Sequence, residues 1–445
     1  MTVLDLQTLY GSPNALAQHY TRFRVSERML LTGHSHQAWP DCAERGYAQA
    51  FEDAASLVDD KWERALERAA RVRAGFARLM DVDPGTITLG TSTHELVSKW
   101  LSALPLRERP KLVTTDSEFH SARRSLQRLQ EEGIDVQWIA AQPSDSVGER
   151  LAGAVDDGVA GVITSTVFYD SGELAGGLEH LNRRCQLHGV PLLLDAYHQL
   201  NVVPLSLPAA GLSDVYVTGG GYKYCQLGEG NCFLRAPEDC ALRPVITGWF
   251  AELDALSDKA SQKINYGPLH TRFAGATYDP VSHYRAAEVF DFFERQGLTP
   301  AVLREVSQHQ LELMRTELDA LDLPATTLAR RDRPLARLAG FLALDAPHAG
   351  ELQRALARLG VSCDARGTVL RLGPAPYLSD AQLRAAVEIL GTVARSRWGK
   401  RSHVRCAPRR WQLQARRPSA ADSGHEPASR YPSRWLALHR SPTSP

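Results

Sequence analysis

The chain has 445 residues, of which 43% are hydrophobic and 23% charged, with Lys and Arg balancing Asp and Glu. At about 150 residues per domain, that is two or three domains, or one large α/β domain with a smaller one. The length excludes a fold that needs disulfide or metal staples, and no apolar run approaches the roughly 18 residues of a membrane-spanning helix.

The balance conceals an asymmetry. Residues 396–445 hold eleven Lys/Arg against two Asp/Glu, so the preceding 395 carry nine more acidic than basic side chains. An acidic body gives no electrostatic case for nucleic-acid binding. The seven cysteines (42, 185, 225, 232, 240, 363 and 406) are odd in number and form no C-x-x-C pair. This argues against a secreted disulfide framework or a zinc ribbon. The first twenty residues lack the basic and apolar blocks of a signal peptide. A reduced, cytoplasmic protein is the expectation.

In chain order, residues 1–45 are expected to form an N-terminal segment that packs with the small domain. They contain His34 and His36, but no Asp, Glu or Cys nearby completes a ligand set, so no metal site is expected. A long helical pattern covers 43–80. From 85 to 240, short apolar runs alternate with helical patterns. The runs are 87–90, 111–115, 135–139, 161–167, 190–195, 214–219 and 231–236. Helical stretches include 93–104, 119–132 and 177–188. Unbroken apolar strands in β-α alternation imply a mostly parallel sheet buried on both faces.

Two helices follow over 282–321, separated near Gly297–Pro300. Then come an apolar run at 338–345, a helix at 349–359, a strand at 368–373 and a last helix at 379–395. The expected domains are a large one at 46–285 and a small one at 286–395. The tail, 396–445, has six prolines and few aliphatics. It reads as disordered and dispensable, since it buries too little apolar area to offset its ordering entropy.

Chemistry concentrates in 192–230. Asp195 ends a strongly apolar strand, where ligands of open α/β sheets bind. Twenty-eight residues on, Lys223 follows a second strand and a run of three glycines. A carboxylate and a lysine at neighbouring strand ends suit a pyridoxal phosphate enzyme. The carboxylate keeps the pyridine nitrogen protonated and the lysine forms the Schiff base. Either residue alone would read as a turn cap or a surface lysine.

Asp195-Ala-Tyr-His198, Tyr222-Lys223-Tyr224 and Gly228-Glu-Gly230 together resemble the kynureninase branch of the class-V aminotransferase-like, fold-type-I enzymes. The resemblance runs from about 28 to 392. It implies a fold-type-I α/β architecture and pyridoxal 5'-phosphate as cofactor. It implies that Lys223, Asp195 and Tyr222 are catalytic, with His198 and Tyr222 beside the cofactor. Ser92 and Thr93, in Thr91-Ser92-Thr93-His94, resemble the phosphate-binding turn, and a helix N-terminus suits an anion. Phe119 takes the ring-stacking position, and Ser165 lies in a turn near the cofactor. Trp249 and Thr277 match segments that reach the neighbouring subunit's site, implying a homodimer with shared sites.

Arg371, in Arg-Leu-Gly-Pro-Ala-Pro, falls on the clamp for the substrate α-carboxylate, a pairing that suits a guanidinium. By its residues alone it reads equally as a surface ion pair on an edge strand. His34 and Ser35 stand where the family has Gly-Asn-Ser-Leu-Gly, and are expected to bind substrate. Three departures fall near the substrate ring and phosphate: His120 for a proline, Ala122 for an aspartate, and Ala251-Glu252 after Gly-Trp-Phe. The implied reaction is hydrolysis of the Cβ–Cγ bond of kynurenine or 3-hydroxykynurenine to an anthranilate and L-alanine, a step of tryptophan catabolism. The alternative is a class-V aminotransferase or a desulfurase-type lyase on another amino acid. A desulfurase needs a mobile nucleophilic cysteine, and nothing marks Cys363 as activated.

Overall fold

Seven strands form the central sheet: β1 (Ile87–Gly90), β2 (Lys111–Thr115), β3 (Asp135–Ile139), β4 (Val159–Ser165), β5 (Leu192–Asp195), β6 (Tyr216–Gly220) and β7 (Cys232–Arg235). The computed structural model describes residues 5–255, 263–330 and 332–398. The spatial order is β1-β7-β6-β5-β4-β2-β3. β6, β5, β4, β2 and β3 run parallel, and β7 runs antiparallel to both β6 and β1.

The apolar runs become central strands because both of their faces are covered. Val113, Val162, Leu192, Leu194, Val217 and Phe233 belong to one core. Their neighbours Leu112, Ile163, Leu193, Tyr216 and Leu234 belong to the core on the other face. This is the two-residue alternation of a strand expressed as two hydrophobic layers. All seven strands coincide with the sequence expectation to within a few residues. The short helix Val147–Gly153 was not foreseen.

The helical pattern over 43–80 is two helices, Cys42–Leu57 and Lys61–Met80. Val58 breaks it with φ of 52°. That is a left-handed conformation costly to a β-branched residue, and no Gly or Pro marks it in the sequence. The helix Val281–Arg295 packs along both of these helices.

A second, antiparallel sheet holds β8 (Ala329–Arg330), β9 (Leu342–Asp345), β10 (Asp364–Arg366) and β11 (Val369–Leu372), in the order β10-β11-β9-β8. The N-terminal segment is tied to this region. Met29–Leu30 pairs in parallel with Val361–Ser362, Gly33 N–H donates to Gly373 O at 2.8 Å, and the Gln382 amide donates to Val25 O and Arg28 O. Gly373 lacks a Cβ because His34 Nδ1 would lie 2.4 Å from it. Among the described residues no helix is long and apolar enough to cross a membrane. The tail expected to be disordered lies outside the described residues from 399 onward.

Candidate active site

Asp195 ends β5, and register pairs it with Ser165 on β4 and Thr218 on β6. After β6, Gly221 and Tyr222 lead to Lys223. These strand ends open on a cavity of about 250 Å³. Its walls include Ser92, Thr93, Phe119, Asp195, His198, Tyr222 and Lys223. Seven of the thirteen expected site residues are therefore brought to one place. Ser121, Tyr197, Glu229 and Cys232 also line it. Tyr197 was legible in principle, two residues past Asp195 in the same motif.

Lys223 is 5% exposed. The hydroxyl of Tyr222 accepts from its Nζ at 3.4 Å. Three aromatic rings surround that nitrogen, those of Tyr222, Tyr197 and Phe119, at 4.8, 5.1 and 5.6 Å to their centroids. Burial lowers the Lys223 pKa to about 8, against the pull of Asp195. A buried amine poised this way is a usable nucleophile and base near neutrality. Uptake of pyridoxal phosphate by apoprotein needs the free amine. Its rate is therefore expected to rise through pH 8 and level off above it. A pH series of stopped-flow reconstitution checks this, and a rate flat across that range would contradict it.

Asp195 Oδ1 accepts the Tyr197 N–H at 2.9 Å. Burial raises its pKa, opposed by that bond and by the Lys223 charge. A buried carboxylate of this kind suits a cationic ring nitrogen. His198 is pushed well below its usual pKa, first by burial and then by Lys223, so it stands neutral beside Phe119, 6.4 Å between centroids. Tyr222 is raised to about 12, mainly by burial, and stays protonated.

At the other end of the cavity, Ser92 caps the helix Thr93–Ser102, its hydroxyl accepting from Glu95 N–H at 3.2 Å. Thr91, Ser92, Thr93 and His94 of that turn line the cavity, and a helix N-terminus favours an anion. Glu95 reaches back to the Thr91 hydroxyl at 2.8 Å and is paired with Lys99 at 2.6 Å. Lys223 is the only Lys or Arg on the walls, so a phosphate here rests on hydroxyls and backbone dipoles of this chain. A buried free amine, a buried carboxylate, an aromatic face and a helix N-terminus together fit pyridoxal phosphate.

Six expected residues do not line the cavity. Ser165 is turned away, its hydroxyl donating to Glu118 at 2.7 Å and its N–H at 3.1 Å. Glu118 also accepts from Thr115, so it staples the ends of β2 and β4 beneath Phe119. Burial raises its pKa to about 7. Trp249 is 44% exposed and Thr277 is exposed, both outside the walls. Ser35 Oγ lies 3.1 Å from His36 Nδ1, and the His36 ring stacks on Tyr222 with centroids 4.6 Å apart. His34 is buried behind the site. Both its ring nitrogens lack a hydrogen bond, and burial lowers its pKa to about 4. Arg371 is 4% exposed. Its strand, β11, lies between β10 and β9, so it is an interior strand and the ion pair it makes is buried.

That ion pair is to Asp364. Nε and Nη2 of Arg371 each donate to one Asp364 oxygen at 2.8 Å, and Nη1 donates to Tyr169 O at 2.5 Å. Asp364 was missed in the sequence. Gly367 turns the chain so that residues 364 and 371 stand directly opposite, and that hairpin was the available signal.

No family model matches the chain. A curated relative, an uncharacterized aminotransferase YcbU of Bacillus subtilis, is 20% identical over 370 residues, covering 81% of this chain and 95% of that one. A lysine-to-alanine mutant of C-DES, with glycine covalently linked to its PLP cofactor, superposes with a TM-score of 0.74 at 15% identity, over 84% of this chain and 98% of that one. A complex of the same cystine C–S lyase with cysteine persulfide gives 0.72 at 16%, over 82% and 98%. An apo cysteine desulfurase of Thermococcus onnurineus also gives 0.72 at 15%, over 86% and 98%. The fold is that of the fold-type-I pyridoxal-phosphate enzymes.

Proposed function

We propose that this chain is a pyridoxal-phosphate enzyme that hydrolyses the Cβ–Cγ bond of L-kynurenine or a ring-substituted relative, giving an anthranilate and L-alanine. The observation that carries the reading is the wall of the cavity. It gathers Lys223, Tyr222, Asp195 and His198 among the aromatic rings of Phe119 and Tyr197, with Arg371 near enough for its charge to act on Lys223. The Phe119 and Tyr197 rings give this wall aromatic faces beside the charges of Lys223, Asp195 and Glu229, and an aryl side chain packs on such faces.

Bound pyridoxal phosphate supplies an electron sink conjugated to the substrate's amino group. Asp195 would hold the protonated ring nitrogen. Lys223, whose amine lines the same cavity, takes the proton from Cα. Arg371 would hold the α-carboxylate and so fix the orientation of the substrate about Cα. Water adds to the γ-carbonyl, the Cβ–Cγ bond breaks, and its electron pair stays with Cβ. Tyr222, protonated and 3.4 Å from Lys223 Nζ, is the donor that returns a proton to Cβ.

A second reading, a C–S lyase acting on cystine, is favoured by the likeness to C-DES. A desulfurase that carries sulfur on its own cysteine has less support. All six described cysteines are buried, and burial holds the Cys363 thiol up at about 12. Cys406 lies outside the described residues. Incubation with L-kynurenine and with L-cystine in parallel separates the readings. Anthranilate and alanine from the first support hydrolysis, whereas pyruvate, ammonia and cysteine persulfide from the second alone support the lyase.

The proposal includes a homodimer with shared sites. Val245, Ile246, Trp249, Leu253 and Ile264 are all exposed, more apolar surface in one segment than a monomer usually leaves bare. Trp249 lies in that segment. Mixing Lys223→Ala with Trp249→Ala subunits is expected to restore part of the activity that each lacks alone. Sedimentation of an active monomer would overturn the arrangement.

A further inference from the structure

We propose that Asp364 is a positioning residue for substrate recognition: it takes one edge of the Arg371 guanidinium and presents the other to the substrate's α-carboxylate. The inference rests on the reading of Arg371 as the carboxylate clamp.

A guanidinium has five N–H donors in a rigid fork. Asp364 takes one from Nε and one from Nη2, and the Tyr169 carbonyl takes one from Nη1. One N–H is left on each of Nη1 and Nη2. These two are the pair that a second carboxylate accepts side by side. Asp364 thus leaves the clamp open while removing the rotations that would misdirect it.

The support around the pair is built for this. Asp364 and Arg371 are cross-strand neighbours on β10 and β11. Their side chains are 13% and 4% exposed. On the other side, Arg371 stands opposite the small Ala343 on β9. The guanidinium lies 5.6 Å from the centre of the Phe341 ring, and His34 packs against the same ring at 4.7 Å. His34 Nε2 is 4.0 Å from Asp364 Oδ1, too far for a hydrogen bond, and burial leaves its ring uncharged. Burial would raise the Asp364 carboxyl, but the Arg371 fork outweighs this and holds it far below the usual range. It is a fixed anion.

The consequence concerns substrate class. Asp364 is also ion-paired to Arg366 at 3.4 Å, so the cluster of Arg371, Asp364 and Arg366 keeps one positive charge while Asp364 fixes the direction of the Arg371 fork. Ligands with an α-carboxylate should be preferred over their amides, and that preference should depend on Asp364.

The test is calorimetric titration of the holoenzyme with L-alanine and with L-alaninamide, in wild type, Asp364→Asn and Asp364→Glu. Wild type is expected to bind alanine more tightly than alaninamide. Asp364→Asn should weaken alanine binding about tenfold or more. Its alaninamide binding should stay within about twofold. Asp364→Glu, which keeps the charge but displaces the fork, should fall between, and it serves alone if the asparagine variant does not fold. A merely structural role would shift both ligands together and leave the ratio unchanged, which overturns the inference. Tighter alanine binding in Asp364→Asn also overturns it, since Asp364 would then be a competitor. A wild type that binds both ligands equally removes Arg371 as the clamp, and the inference with it.

Discussion

Lys223→Ala is expected to yield folded protein that cannot be reduced onto its cofactor and does not turn over. Lys223 is the only Lys or Arg on the cavity wall, and its one hydrogen-bonding contact there is the Tyr222 hydroxyl. Removing it takes away the nucleophile that anchors pyridoxal phosphate and the base that takes the Cα proton. Loss of the proton transfer alone costs roughly 10²–10⁴-fold in rate. The fold should survive, because the substitution removes a buried amine that makes no salt bridge and is costly to bury. Borohydride reduction of wild type followed by peptide mapping should place the pyridoxyl group on Lys223. An adduct on another lysine would refute the assignment.

Asp195→Asn is the second large effect. In the free protein this carboxylate is buried, with its Tyr197 N–H bond and the nearby Lys223 charge as support. Its full partner is the protonated ring nitrogen. Asparagine keeps the shape and the acceptor but removes the charge that holds that proton. Breaking a buried ion pair costs about 3–5 kcal/mol, which corresponds to roughly a hundred- to five-thousandfold in rate when it falls on the transition state. Cofactor loading should weaken less than turnover, since Lys223 still anchors it. Side-by-side titration of cofactor and measurement of kcat separates the two. Equal, small losses in both would mean that Asp195 merely caps the turn to Tyr197.

Much of the fold was readable because its strands are buried on both faces. Runs such as Val159–Ser165 and Leu192–Asp195 carry no charged residue before their last position, and length with flanking turn residues marks them as strands. The break at Val58 was not readable, because no Gly or Pro marks it. The cofactor end of the site was legible from Asp195, His198, Tyr222 and Lys223, since strand ends place them together. The substrate end was not. Asp364 needed only the hairpin at Gly367, whereas the burial of His34 depends on distant elements that meet when residues 29–33 join 361–373, and Glu118 depends on two strand ends meeting at Ser165. No local periodicity carries that information.

The role of the second sheet follows from the same packing. The N-terminal segment, β10 and β11 meet around Asp364 and Arg371, so changes at His34 or Phe341 should register in substrate binding before they register in cofactor binding. The central claim is that water cleaves a carbon–carbon bond of the substrate. The most direct measurement is turnover of L-kynurenine in heavy-oxygen water, with mass analysis of both products. The account predicts equimolar anthranilate and L-alanine, with one solvent oxygen in the anthranilate carboxylate. Release of pyruvate, transfer of the amino group to a keto acid, or anthranilate without solvent oxygen would contradict it.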